Sequence, residues 1–138
     1  MRLVLRTGID LLQIDRFAAV YARHGMRFIR RIFTPGEQEA SAHRVTAYAT
    51  RWAAKEATAK MLGVGLRGLG SGVQAVGWTT IEVTHDELRK PLIRLHGESS
   101  ARAHVLGIDT IDVSVSHDAG FVVVSVVGAG LVSDMSEA

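Results

Sequence analysis

The stretch TAYATRWAAKEATAKML at residues 46–62 decides the fold of this chain. It is rich in Ala, the residue with the highest helix propensity, and it contains neither Gly nor Pro. Gly63 follows directly, as at many helix C-termini. These features predict one long helix over 46–62. The small side chains of Ala49, Ala53 and Ala59 indicate that another part of the chain packs close to it.

Shorter elements are predicted on both sides of this helix. Upstream, the apolar residues 3–11 predict a buried strand, and residues 14–33 predict two helical pieces that Gly25 separates. Thr34-Pro35-Gly36-Glu37 has the pattern of a capping box and predicts the start of another short helix. Downstream, a glycine-dense stretch at 63–77 predicts a mobile loop. The remaining predicted elements are strand pairs at 78–84 with 91–96 and at 110–116 with 121–127, and a helix at 98–106.

This order of elements predicts an α+β fold, with a largely antiparallel sheet packed against one long central helix and shorter helices. The 138 residues fit a single domain, which we place at 1–132, and the polar residues 133–138 predict a frayed tail. Hydrophobic residues make up 47% and charged residues 22%, a balance typical of a globular protein and not of a disordered one.

The charge and the cysteine count exclude several classes of function. Sixteen Lys and Arg against fourteen Asp and Glu give a net charge of +2, so the pI of 9.4 reflects a small surplus and only weakly favours anionic partners. With 6% aromatic residues, nothing indicates a nucleic-acid binder. The absence of cysteine excludes disulfides, thiolate nucleophiles and sulfur-ligated metals, and it fits a cytoplasmic protein. The longest apolar run, 121–132, is too short to span a membrane, and residues 1–12 lack the core of a signal peptide.

Two isolated carboxylates are the first candidates for chemistry. Asp10 interrupts an apolar strand, where a carboxylate is costly to bury, although it could also cap a turn or a helix. Glu56 shares a stripe of the long helix with Trp52 and Lys60, and the simplest reading is an exposed pair between Glu56 and Lys60. Together, Asp10 and Glu56 could hold a hard cation such as magnesium, which prefers oxygen ligands and shares its shell with phosphates.

Known catalytic motifs are absent from the sequence. It has no HExxH zinc motif, no P-loop, no convincing dinucleotide fingerprint and no GxSxG nucleophile elbow. The reactive groups that remain are the carboxylates, Lys60, His117 and scattered arginines. His117 lies in a predicted turn, where a histidine is more often simply solvated. This set suits phosphate chemistry.

The motifs resemble those of holo-[acyl-carrier-protein] synthases, the bacterial 4'-phosphopantetheinyl transferase family. The resemblance spans nearly the whole chain, and RWAAKEA with the following Lys60 is its most specific part. In chain order, the matching segments are Gly8-Ile9-Asp10 with Ile14 and Arg16, Phe33-Thr34 with Glu37, RWAAKEA at 51–57 with Lys60, WTTIEV at 78–83, Lys90-Pro91 before Leu95, and SVSHD at 114–118.

The resemblance implies transfer of the 4'-phosphopantetheine group of coenzyme A to a serine of apo-acyl carrier protein, with magnesium held by Asp10 and Glu56. It also implies that Lys60 and His117 lie at the phosphates and that Arg51 and Pro91 contact coenzyme A. For the docking of the carrier protein it implies the first helical region, where Arg16, Arg27, Phe28 and Arg31 fall, although each arginine could equally belong to a solvated face. For the assembly, it implies a homotrimer with active sites between neighbouring subunits.

The sequence departs from the family's pattern before Lys90-Pro91, where the family usually has Gly and this chain has Arg89. The resemblance therefore does not give the shape of the adenine-side pocket. A second hypothesis is a non-catalytic module that binds coenzyme A or a nucleotide and has a basic face for protein docking. Such a module would not need Asp10 and Glu56 together, so the presence of both favours the enzyme.

Overall fold

The structure is a computed structural model that describes residues 1–68 and 74–134. The long helix is α3, Val45–Leu62, and it packs across a sheet formed by strands from both ends of the described chain. The elements are β1 (Arg2–Gln13), α1 (Ile14–Ile32), α2 (Pro35–Ser41), α3 (Val45–Leu62), β2 (Gly65–Leu66), β3 (Ala75–Val76), β4 (Ile81–His85), β5 (Pro91–Leu95), α4 (Gly97–Leu106), β6 (Thr110–Asp118) and β7 (Phe121–Val132).

The main sheet has the strand order β1-β7-β6, and both pairings are antiparallel. β1 and β7 pair along their full lengths, from Arg2 opposite Val132 to Gln13 opposite Phe121. Because side chains alternate along a strand, Gly8, Asp10 and Leu12 lie on the inner face of β1, towards α3. The predicted α+β fold with a largely antiparallel sheet is therefore confirmed.

Helix α3 approaches the sheet closely because both surfaces carry small side chains at their contact. A Cβ atom added to Gly8 would lie 1.9 Å from the backbone oxygen of Ala57, a distance that no side chain can occupy. Ala49, Ala53, Ala57 and Ala59 of α3 are all buried. The glycine of β1 and the alanines of α3 thus set the distance between the two elements.

The helical region before α3 bends at Gly25, whose backbone leaves the helical conformation at φ 63°, ψ −154°. The predicted break is therefore present, and the helix continues beyond it to Ile32. Phe17 from the first half packs against Phe28 from the second half and against Trp52 of α3. These ring contacts hold both halves of α1 on α3.

A buried ion pair fixes α2 against α3. The Lys55 ammonium donates to Glu37 Oε1 at 2.7 Å and to the carbonyl oxygens of Trp78 and Ile81, and both charged side chains are fully buried. Glu37 also completes the predicted capping box with Thr34. Breaking a pair of this kind leaves an unpaired buried charge, which typically costs about 3–5 kcal/mol.

The two predicted hairpins form, as β4 with β5 and β6 with β7, but three local predictions were wrong. His117, predicted in a turn, lies in β6 opposite Val122, because the strand pairing continues to Asp118. Residues Trp78–Thr80 form a 3-10 turn before β4 because Thr80 N donates to the carbonyl of Gly77, so the strand begins only at Ile81. In the glycine-dense stretch, β2 and β3 pair in parallel, where no strand was expected. The rest of the predicted mobile loop, residues 69–73, and the tail residues 135–138 lie outside the described residues. Over the described ranges, no helix is both long and apolar enough to cross a lipid bilayer.

Candidate active site

Asp10 and Lys60 meet where β1 passes beneath the last turn of α3. The Lys60 ammonium donates to Asp10 Oδ1 at 3.3 Å and to the carbonyl oxygen of Ile9 at 2.9 Å. Asp10 is buried, and its second oxygen, Oδ2, has no hydrogen-bond partner. A buried carboxylate oxygen without a partner is costly, which indicates that something absent from the chain itself binds there.

Glu56 lies beside Asp10, and its orientation is fixed from its own helix. The indole N–H of Trp52, one turn earlier in α3, donates to Glu56 Oε1 at 2.6 Å. Burial and the neighbouring Asp10, against the lowering effects of Trp52 and Lys60, together raise the pKa of Glu56 to about 7. The simple reading of an exposed pair between Glu56 and Lys60 was wrong, because the Lys60 ammonium turns to β1. The alternative role of Asp10 as a cap was also wrong: among the described residues, its side chain bonds to Lys60 and interacts with the Glu56 carboxyl group, and not with the backbone of a turn or helix.

The donor set of Asp10 and Glu56 fits a divalent cation. Two adjacent carboxylates, one with an unpartnered oxygen and one with a raised pKa, repel each other until a positive charge lies between them. No third Asp, Glu or His joins them anywhere in the described part of the chain. Magnesium commonly takes one or two carboxylates and completes its shell with water and substrate phosphates, so this arrangement suits it.

Arg51, Pro91 and His117 lie together in a second place, here called the cationic pocket. They line a cavity of about 240 Å³ with Thr50 and Val83, among others, and the His117 Nε2 and Thr50 Oγ1 atoms are hydrogen-bonded at 2.8 Å. A larger cavity of about 770 Å³ adjoins it over the start of α3. Three further basic residues line this larger cavity: Arg44 and His85, which the sequence had not indicated, and Arg89, which the sequence showed only as a departure from the family's pattern.

Electrostatics in the cationic pocket reflect this concentration of positive charge. Burial lowers the pKa of Arg51, and burial together with the Arg51 charge lowers the pKa of His85. The buried Nε atom of Arg51 has no hydrogen-bond partner. An anion entering the pocket would meet an unneutralised guanidinium, which favours its binding.

The carboxylate pair and the cationic pocket lie on different sides of α3. Arg51 and Glu56 are five residues apart, so at 3.6 residues per turn their side chains leave the helix about 140° apart. On the sheet, the pairing of both strands with β7 places Asp10 on β1 and His117 on β6, two strands or roughly 10 Å apart. The structure thus brings the predicted site residues together as two groups and not as one.

The residues predicted to bind a partner fall mostly in one groove. Arg27, Phe28 and Arg31 line a groove of about 450 Å³ together with Trp52. The groove therefore begins at the residue that orients Glu56. Arg16 is exposed in the first half of α1, before the bend at Gly25, and does not line this groove.

Comparisons with known proteins agree with these features. The model of the 4'-phosphopantetheinyl transferase superfamily matches residues 6–122. A holo-[acyl-carrier-protein] synthase of Herpetosiphon aurantiacus is 47% identical over 127 residues, covering 92% of this chain and all of the relative.

Solved structures give the same result. The Helicobacter pylori holo-[acyl-carrier-protein] synthase in complex with coenzyme A is 30% identical, with a TM-score of 0.75 over 88% of this chain and 98% of that one. The Bacillus anthracis holo-(acyl-carrier-protein) synthase in complex with coenzyme A (3',5'-ADP) is 27% identical, with a TM-score of 0.71 over 94% of this chain and all of that one. The chain therefore belongs to the holo-[acyl-carrier-protein] synthase family of the 4'-phosphopantetheinyl transferase superfamily.

Proposed function

We propose that this chain transfers the 4'-phosphopantetheine group of coenzyme A to a serine of apo-acyl carrier protein, releasing 3',5'-ADP, in fatty acid biosynthesis. The observation that carries the proposal is the pairing of Asp10 with Glu56 beside Lys60, with one buried carboxylate oxygen left unpartnered. The family relationship supplies the substrates, and the absence of cysteine fits a cytoplasmic location.

In the proposed reaction, the serine oxygen forms a bond to the β-phosphorus of coenzyme A, and the bond from that phosphorus to the 3',5'-ADP oxygen breaks. Asp10 and Glu56 would hold magnesium, and a bound divalent cation would supply positive charge against the negative charge that develops on the diphosphate. The Lys60 ammonium is held by the Ile9 carbonyl and by Asp10, and it contacts the oxygens of the diphosphate. His117 contributes a hydrogen-bonding group from the cationic pocket, where Arg51 and Pro91 contact the nucleotide.

The nucleophile belongs to the carrier protein, so this chain has to supply only a group that accepts the serine proton. Glu56 is our candidate, directly or through a water molecule that it orients. The Trp52 N–H donates to its Oε1 atom, so its Oε2 atom is the proposed acceptor.

We also propose that the carrier protein docks on the second half of α1, where exposed Arg27 and Arg31 flank the half-buried Phe28. A basic groove with an aromatic floor suits an acidic helix of a partner. Because the groove lies beside Trp52, a carrier protein docked there would lie next to the carboxylate pair. Arg16 extends the basic surface into the first half of the helix.

The proposed assembly is a homotrimer, and the outer face of the main sheet supports it. Leu3, Leu5, Ile9 and Leu11 on β1 are each 60–64% exposed, and Leu131 of β7 lies opposite Leu3 and is 60% exposed. A contiguous apolar face of this kind is typical of an interface between subunits. A neighbouring copy could bring its cationic pocket to the carboxylate pair, which reunites the two groups of site residues.

Mass spectrometry of apo-acyl carrier protein, incubated with coenzyme A, magnesium and this chain, tests the proposal. We expect a mass gain of one phosphopantetheine group on the serine. Asp10→Asn and Glu56→Gln should abolish the mass gain but retain the fold. Glu39→Gln, at an exposed position of α2, should leave the mass gain unchanged. No mass gain with the wild-type chain would favour the non-catalytic coenzyme A-binding module, and near-normal transfer by Asp10→Asn or Glu56→Gln would overturn the metal assignment.

A further inference from the structure

The positive charge of the cationic pocket comes mainly from its arginines, since the lowered pKa of His85 favours its neutral form near pH 7. Five basic residues line its larger cavity, and no described lining residue is acidic. Arg44 donates to the carbonyl oxygens of Ala40 and Ser41, and Arg51 donates to that of Ala47. These bonds orient the guanidinium groups towards neutral oxygens, and no described carboxylate forms an ion pair with Arg44 or Arg51. The pocket therefore suits a ligand group with more than one negative charge. The five basic residues are Arg44, Arg51, His85, Arg89 and His117.

Arg89 differs from the other four in its backbone. It lies in the turn between β4 and β5 with φ 65°, in the left-handed region that favours glycine. Asp86 holds this turn, since its side chain accepts from the N–H groups of Leu88 and Lys90. The Arg89 guanidinium makes no hydrogen bond or ion pair with any described residue, although its side chain lines both cavities of the pocket. A long cationic side chain at a strained position, without a hydrogen bond or ion pair to any described residue, points to a contact with a ligand.

We propose that Arg89 is a specificity-determining residue that contacts the 3'-phosphate of coenzyme A and so selects coenzyme A over its dephosphorylated form. The inference rests on the proposed function, which makes coenzyme A the substrate. Coenzyme A carries negative charge at its diphosphate and at the 3'-phosphate of its ribose. The diphosphate has to reach the carboxylate pair and Lys60, so the second phosphate is the group left for the arginines of the pocket. This holds whether the carboxylates come from the same copy or from a neighbouring one.

Kinetics with two donors test this inference. Transfer rates are measured with coenzyme A and with dephospho-coenzyme A for the wild type, Arg89→Gly and Arg89→Lys. Arg94→Gln removes one exposed arginine of β5 outside the pocket and serves as the control for a general loss of charge.

We expect Arg89→Gly to lower kcat/KM for coenzyme A about tenfold, the effect of one charge-assisted hydrogen bond, and to leave dephospho-coenzyme A nearly unchanged. Arg89→Lys should retain part of the wild-type preference for coenzyme A over dephospho-coenzyme A, and Arg94→Gln should retain all of it. If Arg89→Gly lowered kcat/KM equally for both donors, or for neither, the inference would be overturned. If the wild-type chain transfers from neither donor, the proposed function fails, and the affinities for 3',5'-ADP and ADP then decide the role of Arg89. A preference for 3',5'-ADP that Arg89→Gly retains would overturn it.

Discussion

Glu56 is a carboxylate whose partial burial opposes the ionised form that a metal ligand needs. Burial and the nearby Asp10 raise its pKa to about 7, and the N–H of Trp52 only partly opposes them. The folded chain without a cation therefore favours the protonated form of Glu56 near neutral pH. A divalent cation between the two carboxylates would remove this preference, which connects the stability of the fold to the occupancy of the site.

The pH dependence of unfolding tests this connection. The folded pKa of about 7 lies above the ordinary value of 4.5, so the stability that Glu56 contributes is fully present below about pH 4.5 and is lost as the pH rises through about 7. In the presence of a chelator, we expect Glu56→Gln to gain in Tm relative to the wild type between about pH 5 and about pH 8. Thermal unfolding followed by circular dichroism measures the difference, and a difference that stays constant over this range would contradict the prediction. Excess magnesium should raise the Tm of the wild type and not of Glu56→Gln.

Trp52 positions Glu56, and a single substitution separates this role from packing. Trp52→Phe keeps an aromatic ring against Phe17 and Phe28 but removes the N–H that donates to Glu56 at 2.6 Å. Because the bond has a charged acceptor, we expect the magnesium concentration for half-maximal transfer to rise on the order of tenfold. Calorimetric titration with magnesium should show the same loss without any substrate.

The matched control for Trp52→Phe is Trp78→Phe. It also removes an indole donor, whose acceptor is the carbonyl oxygen of Arg67, away from the carboxylates. We expect it to cost stability without changing the dependence on magnesium. If both variants raised the magnesium concentration for half-maximal transfer by a similar factor, Trp52 would act only through packing.

Among the elements, α3 carries the largest share of the candidate site. It carries Arg51, Glu56 and Lys60, and its distance from the sheet is set at Gly8, where an added Cβ would meet the Ala57 backbone at 1.9 Å. The rigid backbone of a helix cannot yield locally to such a clash, so the whole helix has to shift. The precision of the candidate site thus depends on a glycine two residues before Asp10.

Gly8→Ala tests the close approach of β1 to α3. We expect it to lower the free energy of unfolding by roughly 3 kcal/mol and to reduce transfer strongly, because α3 would move away from Asp10. Urea denaturation and the transfer assay measure the two effects. Gly36→Ala in α2 is the control, since nothing lies closer than 3.6 Å to its added Cβ. If Gly8→Ala kept the stability of the wild type, β1 and α3 would have to leave room for a side chain at this contact.

The regular elements could be predicted from the sequence because their signals are local. The alanine content predicted α3, and the Thr34 to Glu37 spacing predicted a capping box that the structure has. The strand pair of β2 and β3 is two residues long on each side, too short for any periodic pattern. The 3-10 turn at Trp78 was missed because its apolar and β-branched residues also suit a strand.

The candidate site could be predicted only in part. Asp10 and Glu56 were found because an isolated carboxylate among apolar residues is conspicuous in any sequence. Helical spacing placed Trp52 and Glu56 on one stripe, but it could not show that the indole N–H turns towards the carboxylate. Arg44 directly precedes α3, whereas His85 and Arg89 belong to the hairpin of β4 and β5, and only the tertiary fold brings these two places together around Arg51.

For the whole molecule, the exposed apolar face of β1 and β7 gives the clearest test of assembly. Leu5 is 61% exposed in the middle of this face, and a glutamate there would bury charge in the proposed trimer. We expect Leu5→Glu to sediment as a monomer and to lose transfer activity. Leu88→Glu, at a turn position that is 90% exposed, should keep the assembly of the wild type. A monomeric wild type, or a trimeric Leu5→Glu, would contradict the proposed interface.

The position of Arg51 and Glu56 on opposite flanks of one helix has a genetic consequence in the proposed trimer. Each copy would contribute its cationic pocket to the site shared with one neighbour and its carboxylates to the site shared with the other. A copy damaged at Asp10 would then still serve as a nucleotide-holding partner, and a copy damaged at Arg51 would still serve as a source of carboxylates. Two different inactivating alleles could therefore rescue each other in a mixed oligomer, whereas two copies of the same allele could not.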